Sequence, residues 1–198
     1  MLIVVRHGRT EHNAAGRLLG RLDPPLDDLG RLQAAALARC VGPVDRVVTS
    51  PLRRARETAA AFGRDVEVDE RWIELDYGDL DGQPLSQVDA EFWTRWRSDV
   101  SLRPPGGETL VELGTRVRGA LGDLASGSAP GGGTTVVVTH VSPVKAAIGW
   151  ALGVDDRVTW RMWVAQASLS RIEITARGPI LHTFNEVAHL DGVALAEG

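Results

Sequence analysis

At 198 residues the chain is long enough for one sizeable domain with a full apolar core and short for two. Charged residues make up 24%, apolar residues 43% and the formal net charge is −4, so no overall basic field directs the chain to nucleic acid. The single cysteine, Cys40, excludes an internal disulfide and a cysteine-rich metal site and fits a reducing, cytoplasmic setting, while no segment reaches membrane-span length.

In chain order, the β-branched run Leu2 to Val5 predicts a buried strand. It is too short, and lacks a preceding basic segment, to be a signal peptide. Apolar residues at Leu26, Leu29, Leu32, Ala36, Leu37 and Cys40 form a helical stripe, with Asp27 or Asp28 at its N-terminus. Asp45 to Thr49 reads as a short strand, and Ser50-Pro51 opens a helix through Phe62. Val66 to Val68 is a further short strand and Trp72 to Gly82 an irregular loop. Leu85 to Trp96 and Gly107 to Leu124 carry helical spacing. Ser126 to Thr134 is Gly- and Ser-rich and reads as a flexible connector. Thr135 to Thr139 is a second β-branched run, and Ser142 or Pro143 opens a helix to about Leu152. Asp155 to Trp163 is a candidate helix. Leu169 to Ile174 and Ile180 to Phe184 pair as strands around Ala176 to Pro179. The alternation of strand and helix is that of an α/β protein, and the connector sits within one βαβ series, so a single domain is expected over residues 1–198.

Three strand-like runs end in chemistry-bearing residues: Arg6-His7-Gly8, Ser50-Pro51-Leu52-Arg53-Arg54-Ala55 and His140-Val141-Ser142-Pro143. Taken singly, Arg53, Arg54 and Arg56 read as a solvated helix face and His140 as a hydrogen-bonded core histidine. Their coincidence at carboxyl ends of strands, where open α/β sheets bind ligands, argues for one crevice holding two histidines and several arginines. Arginine presents a planar fork to a phosphate, histidine a nitrogen nucleophile, and glycine lets backbone approach closely.

The segments Arg6-His7-Gly8-Arg9-Thr10-Glu11-His12-Asn13, Ser50 to Ala59, Glu74-Leu75-Asp76-Tyr77-Gly78-Asp79-Leu80-Asp81-Gly82, Pro105-Gly106-Gly107-Glu108-Thr109 and Val138-Thr139-His140 resemble, in order, the motifs of the histidine phosphatase superfamily, the phosphoglycerate mutase-like proteins. The likeness runs from residue 2 to about residue 190. It implies a three-layer α/β/α sandwich whose central sheet is mostly parallel with an antiparallel edge strand. His7 would be the nucleophile that forms a phosphohistidine, with its other ring nitrogen donating to a backbone carbonyl. Arg6 and Arg54 would clamp the phosphoryl oxygens; Arg54 is preferred to Arg53 because it directly precedes Ala55. His140, Asn13 and the backbone N–H of Val141 would add donors. Glu74 would protonate the leaving alkoxide and later deprotonate water, which calls for a raised pKa from burial or nearby phosphate charge. Asp76, Asp79 and Asp81 compete for that role, and the spacing of Glu74 to Tyr77-Gly78 favours Glu74.

Arginines stand where metals would, so no metal and no cofactor are expected. Arg21, Tyr77, Phe92, Trp93, Trp96 and Arg103 are candidate leaving-group contacts, with specificity walls at residues 17–23 and 83–103. His12, His182 and His189 fall outside the catalytic set. Val141 departs from the glycine that commonly follows the second histidine. The resulting His-Val-Ser-Pro is similar to a variant found in some bacterial phosphatases, including α-ribazole phosphatase-like proteins. The middle region is short and lacks the basic residues of the cofactor-dependent mutases. The resemblance therefore implies a phosphomonoesterase acting on a small phosphate ester, with no nucleic acid or membrane partner, as a monomer or homodimer. The rivals are a phosphoglycerate mutase and a non-catalytic phospholigand-binding protein; binding alone needs neither nucleophile nor acid.

Overall fold

The computed structural model describes residues 1–126 and 133–193. Its elements are β1 (Leu2–Arg6), α1 (Glu11–Ala14), α2 (Asp28–Val41), β2 (Arg46–Thr49), α3 (Arg53–Ala60), β3 (Val66–Val68), α4 (Ala90–Ser98), α5 (Leu110–Ser126), β4 (Thr135–Thr139), α6 (Val141–Leu152), β5 (Leu169–Thr175) and β6 (Gly178–Glu186), with short 3₁₀ turns between. One six-stranded sheet has the order β3-β2-β4-β1-β5-β6. β1 to β4 run parallel, whereas β5 lies antiparallel to β1 and to β6. This is the expected mixed sheet, with two antiparallel strands at one edge.

Alternation along the strands divides the core. Ile3, Val5, Val47, Val136 and Val138 pack with Leu37 of α2 and with Ala55 and Ala59 of α3. Leu2, Val4, Val48 and Val137 pack on the other face with Leu113, Val117 and Leu121 of α5 and with Val144 and Ile148 of α6. Helices therefore cover both faces, and the near-continuous valine runs of β1 and β4 reflect burial on two sides.

Local chemistry sets the boundaries. The Asp27 side chain accepts from the Gly30 N–H and caps α2. Thr109 and Glu112 form a capping box ahead of α5, each side chain accepting from the other's backbone N–H at 3.1 and 2.9 Å. Gly153 ends α6 in the left-handed conformation.

Four boundaries differ from the sequence reading. α3 begins at Arg53 rather than Ser50-Pro51, because the Ser50 N–H extends the β-ladder to the Val138 carbonyl at 3.0 Å and Leu52 stays extended. Leu85 to Trp96 is a 3₁₀ turn and then α4, separated where Val88 is extended and the Asp89 side chain caps at Glu91. Asp155 to Trp163 is a 3₁₀ helix over Asp156–Arg161. α6 starts at Val141, with His140 at its N-cap position. The sequence reading also missed α1, which Thr10 and Asn13 close with a capping box. Within the Ser126 to Thr134 connector, residues 127–132 lie outside the described residues.

Candidate active site

The order β2-β4-β1 sets three carboxyl ends side by side, at Thr49, Thr139 and Arg6. The ladder runs one residue further on β1, where the His7 N–H donates to the Thr139 carbonyl at 2.9 Å. The rings of His7 and His140 consequently lie with centroids 5.0 Å apart. Gly8 is required by close approach: a Cβ there would sit 2.5 Å from the Gly30 carbonyl oxygen, where the first turn of α2 presses on the loop. The Gly8 N–H donates to Thr58 Oγ1 at 3.0 Å, and that hydroxyl donates to the Arg54 carbonyl at 2.8 Å, tying the β1 loop to α3.

His7 is buried, and its two nitrogens have distinct partners. Nδ1 lies 2.6 Å from the Gly8 carbonyl, which can only accept, so Nδ1 carries the proton. Nε2 accepts from Arg54 Nε at 3.2 Å, so it is the nitrogen that carries the lone pair. Burial, and after it the charges of Arg54 and Arg6, push the His7 pKa well below 6.5 and keep the ring neutral. Arg54 is wholly buried and is aimed by the carbonyls of Leu22 at 2.6 Å and Gly20 at 2.7 Å. Arg6 donates to the Val164 carbonyl at 2.7 Å, and its buried Nε has no partner among the described residues. Burial lowers both guanidinium pKa values to about 10, opposed chiefly by the negative charge of Glu74.

His140 is wholly buried and also neutral, for the same reasons as His7: burial first, then Arg54. Its Nε2 lies 2.7 Å from Ser50 Oγ. That hydroxyl accepts from the Leu52 N–H at 3.3 Å and has one proton to give; when it gives it to Nε2, the ring proton sits on Nδ1. Nδ1 is buried without a partner among the described residues, a donor awaiting an acceptor.

Glu74 is buried, and its Oε1 accepts from the Ser142 N–H at 3.1 Å, at the N-terminus of α6, and from the Leu75 N–H at 2.8 Å. Two rival carboxylates are committed elsewhere. Asp81 accepts from the N–H groups of Gly20, Arg21 and Leu22 at 2.7, 2.7 and 2.8 Å, shaping the loop that aims Arg54. Asp76 accepts from the Gly78 N–H at 2.9 Å. The acid loop is held by Arg116 of α5, which donates to the carbonyls of Arg71, Ile73 and Glu74 at 2.6, 2.7 and 3.2 Å and pairs with Glu108 at 2.7 Å.

The remaining candidates scatter. Asn13 Oδ1 accepts from Thr10, which leaves the amide N–H₂ for a ligand. Val141 is the first residue of α6. Arg21 makes a 3.4 Å contact with Glu108, and its Nε is buried without a partner among the described residues. Tyr77 is near Glu74 and Arg6; burial and then the Glu74 charge push its pKa up. Its ring meets Trp96 edge-on at 5.9 Å. Trp96 is fully buried, stacked with Trp93 at 5.4 Å and packed against Phe92 at 5.3 Å, so it supports the wall rather than forming its surface. Arg103 binds the Gly107 carbonyl and Glu112, bracing the start of α5. His182 pairs with Glu173 on the β5–β6 hairpin. Sequence reasoning missed Ser50, Thr58 and Arg116 as parts of the site; only tertiary contacts reveal them, although Ser50 and Thr58 lie inside the segment already singled out. Among the described residues, no group of three or more His, Cys, Asp or Glu side chains could hold a metal ion.

Known proteins resemble this chain along most of its length. The model of the histidine phosphatase superfamily, branch 1, matches residues 2–187. A bifunctional protein of Mycobacterium tuberculosis is 36% identical over 89% of this chain and 51% of its own length, so the chain spans about half the length of the first curated relatives it matches. The glucosyl-3-phosphoglycerate phosphatase of M. tuberculosis is 32% identical over 85% of this chain and 96% of its own. Among solved structures, a phosphoserine phosphatase of Entamoeba histolytica in complex with 3-phosphoglyceric acid superposes with TM-score 0.87 at 26% identity, covering 96% of this chain and 98% of that one.

Proposed function

The chain belongs to the histidine phosphatase superfamily, and we propose that it is a single-domain, metal-independent phosphomonoesterase that hydrolyses a small phosphate ester through a phosphohistidine on His7. The observation that carries this reading is the state of His7. Nδ1–H is tied to the Gly8 carbonyl while the Nε2 lone pair is held by Arg54 Nε, and Arg6 Nε and His140 Nδ1 are buried without a partner among the described residues. A binding protein needs the donors but not that lone pair.

In the first step Nε2 attacks phosphorus, the P–O bond to the leaving group breaks, and Glu74 gives its proton to the departing oxygen. Arg54 Nε, released from Nε2, turns to a phosphoryl oxygen with Arg6 Nε, His140 Nδ1–H and the Asn13 amide. In the second step water attacks phosphorus, its proton passes to Glu74, and the P–N bond breaks. The sum is ester plus water giving alcohol plus phosphate. Names of relatives support the reading: a glucosyl-3-phosphoglycerate phosphatase and a phosphoserine phosphatase share the fold and the family.

The test is phosphate release from p-nitrophenyl phosphate with EDTA present. Wild type turns over and His7→Ala falls to background. An inactive wild type, or a His7→Ala variant with undiminished turnover, overturns the reading. Efficient isomerisation of 3-phosphoglycerate with a bisphosphate primer would favour the mutase instead.

A further inference from the structure

Arg6 and Arg54 are aimed by different means. Two loop carbonyls, those of Leu22 and Gly20, hold Arg54. The Arg6 guanidinium has one acceptor among the described residues, the Val164 carbonyl at 2.7 Å. Whatever fixes that carbonyl therefore fixes the planar fork of Arg6 and with it Nε, the donor left buried and unpartnered.

The Val164 carbonyl and the Ala165 N–H are the two ends of one peptide unit. That peptide is trans, so the two groups point in opposite directions. The Ala165 N–H donates to Asn185 Oδ1 at 2.8 Å. One rigid plane is thus gripped at its oxygen by Arg6 and at its nitrogen by Asn185. The cationic donor polarises the peptide, which strengthens the bond at the far end.

Asn185 owes its place to an irregularity of the sheet. Leu169 pairs with Glu186 and Arg171 with Thr183, so Phe184 and Asn185 of β6 together oppose Ser170 of β5, a β-bulge. Asn185 takes φ 58°, the left-handed region that asparagine tolerates better than most side chains. Its N–H donates to Oγ of Ser170 at 3.1 Å, a buried residue paired with Val4 of β1. The turn before β5 is fastened to the same strand. The Ser168 carbonyl accepts from the Arg6 N–H at 3.1 Å, and the Ala167 N–H donates to the His7 carbonyl at 3.0 Å. Ala167 is also left-handed, at φ 51°, so the turn bears strain where it meets the reactive strand end.

We propose that Asn185 is a positioning residue for the phosphate clamp, which through the Val164–Ala165 peptide sets the direction of the Arg6 guanidinium. This assignment rests on the reading of Arg6 as a phosphate ligand.

The test is a double-mutant cycle of Asn185→Gly with Arg6→Met, read as kcat/KM for p-nitrophenyl phosphate and as the calorimetric Kd of inorganic phosphate. Glycine keeps the left-handed backbone and removes only the acceptor. Asn185→Gly lowers kcat/KM and raises the phosphate Kd at least fivefold. In the Arg6→Met background the same change moves the Kd less than twofold. Asn185→Asp, which keeps an acceptor, recovers most of both losses. An Asn185→Gly protein within twofold of wild type, or losses of equal size with and without Arg6, overturns the proposal; so does wild type that binds no phosphate. Asn185→Ser, one atom shorter than asparagine, serves the same cycle if the glycine variant does not fold. Absence of p-nitrophenyl phosphate turnover fells the phosphatase reading separately, and the phosphate Kd still decides the role of Asn185.

Discussion

Ser50→Ala removes a single oxygen from the site, and its consequence can be worked from the geometry. Ser50 Oγ accepts from Leu52 and lies 2.7 Å from His140 Nε2, in a wholly buried position, and the Nδ1–H tautomer requires it to donate to Nε2. Without it, Nε2 has lost its donor, and the ring proton is free to move from Nδ1 to Nε2. The donor aimed at the phosphoryl group then becomes a lone pair. Leaving one buried polar group unsatisfied costs about 1–3 kcal/mol. Carried in full to the transition state, at about 1.4 kcal/mol per factor of ten, that is a loss of about 5- to 150-fold in kcat/KM. The loss falls mainly on kcat, because the charge on the equatorial oxygens grows along the reaction. The assay is steady-state hydrolysis of p-nitrophenyl phosphate, with Tm recorded to show an intact fold. Repeating the substitution in a His140→Gln background closes a double-mutant cycle, in which Ser50→Ala has little further effect. A Ser50→Ala enzyme within twofold of wild type, or one whose full loss persists without His140, would refute the assigned tautomer.

Arg116→Met strips three loop carbonyls and Glu108 of one shared partner, which costs about 3 kcal/mol. For a chain of this size that lowers Tm by about 6–12 °C, and a shift below about 2 °C in thermal unfolding contradicts the bracing role. Acidity acts through the histidines. His7 and His140 are held well below 6.5 in the folded protein, so under about pH 6.5 the unfolded chain takes up protons that the native state refuses. Stability then falls with falling pH, by up to about 1.4 kcal/mol per pH unit for each ring. Tm measured from pH 7.5 to 5.0 declines in wild type and declines less steeply in His140→Gln; identical slopes would refute the burial of a neutral His140.

The strands and their polar ends were legible because burial writes itself locally. The valine runs of β1 and β4 need no partner to be recognised, and neither does the break into Arg6-His7-Gly8 or His140. The start of α2 was legible because a side chain there caps its own backbone, at Asp27, whereas α5 begins at Leu110 rather than Gly107. Helix starts were misread at Ser50 and at Leu85, where the backbone instead follows the Val138 carbonyl across the sheet or stays extended at Val88.

The chain's own order of residues thus determined the α/β class and the family likeness, and singled out His7, Arg6, Arg54, His140 and Glu74 as the candidate site. Only the tertiary structure decided how they work together. The tautomers of His7 and His140 depend on Gly8 and Ser50, Arg54 is aimed by carbonyls of Gly20 and Leu22, and Glu74 is held by Arg116 and the first turn of α6. Most of these partners lie between 30 and 90 residues away along the chain. Local periodicity cannot register them, because a hydrogen bond across the sheet leaves no pattern in either segment alone.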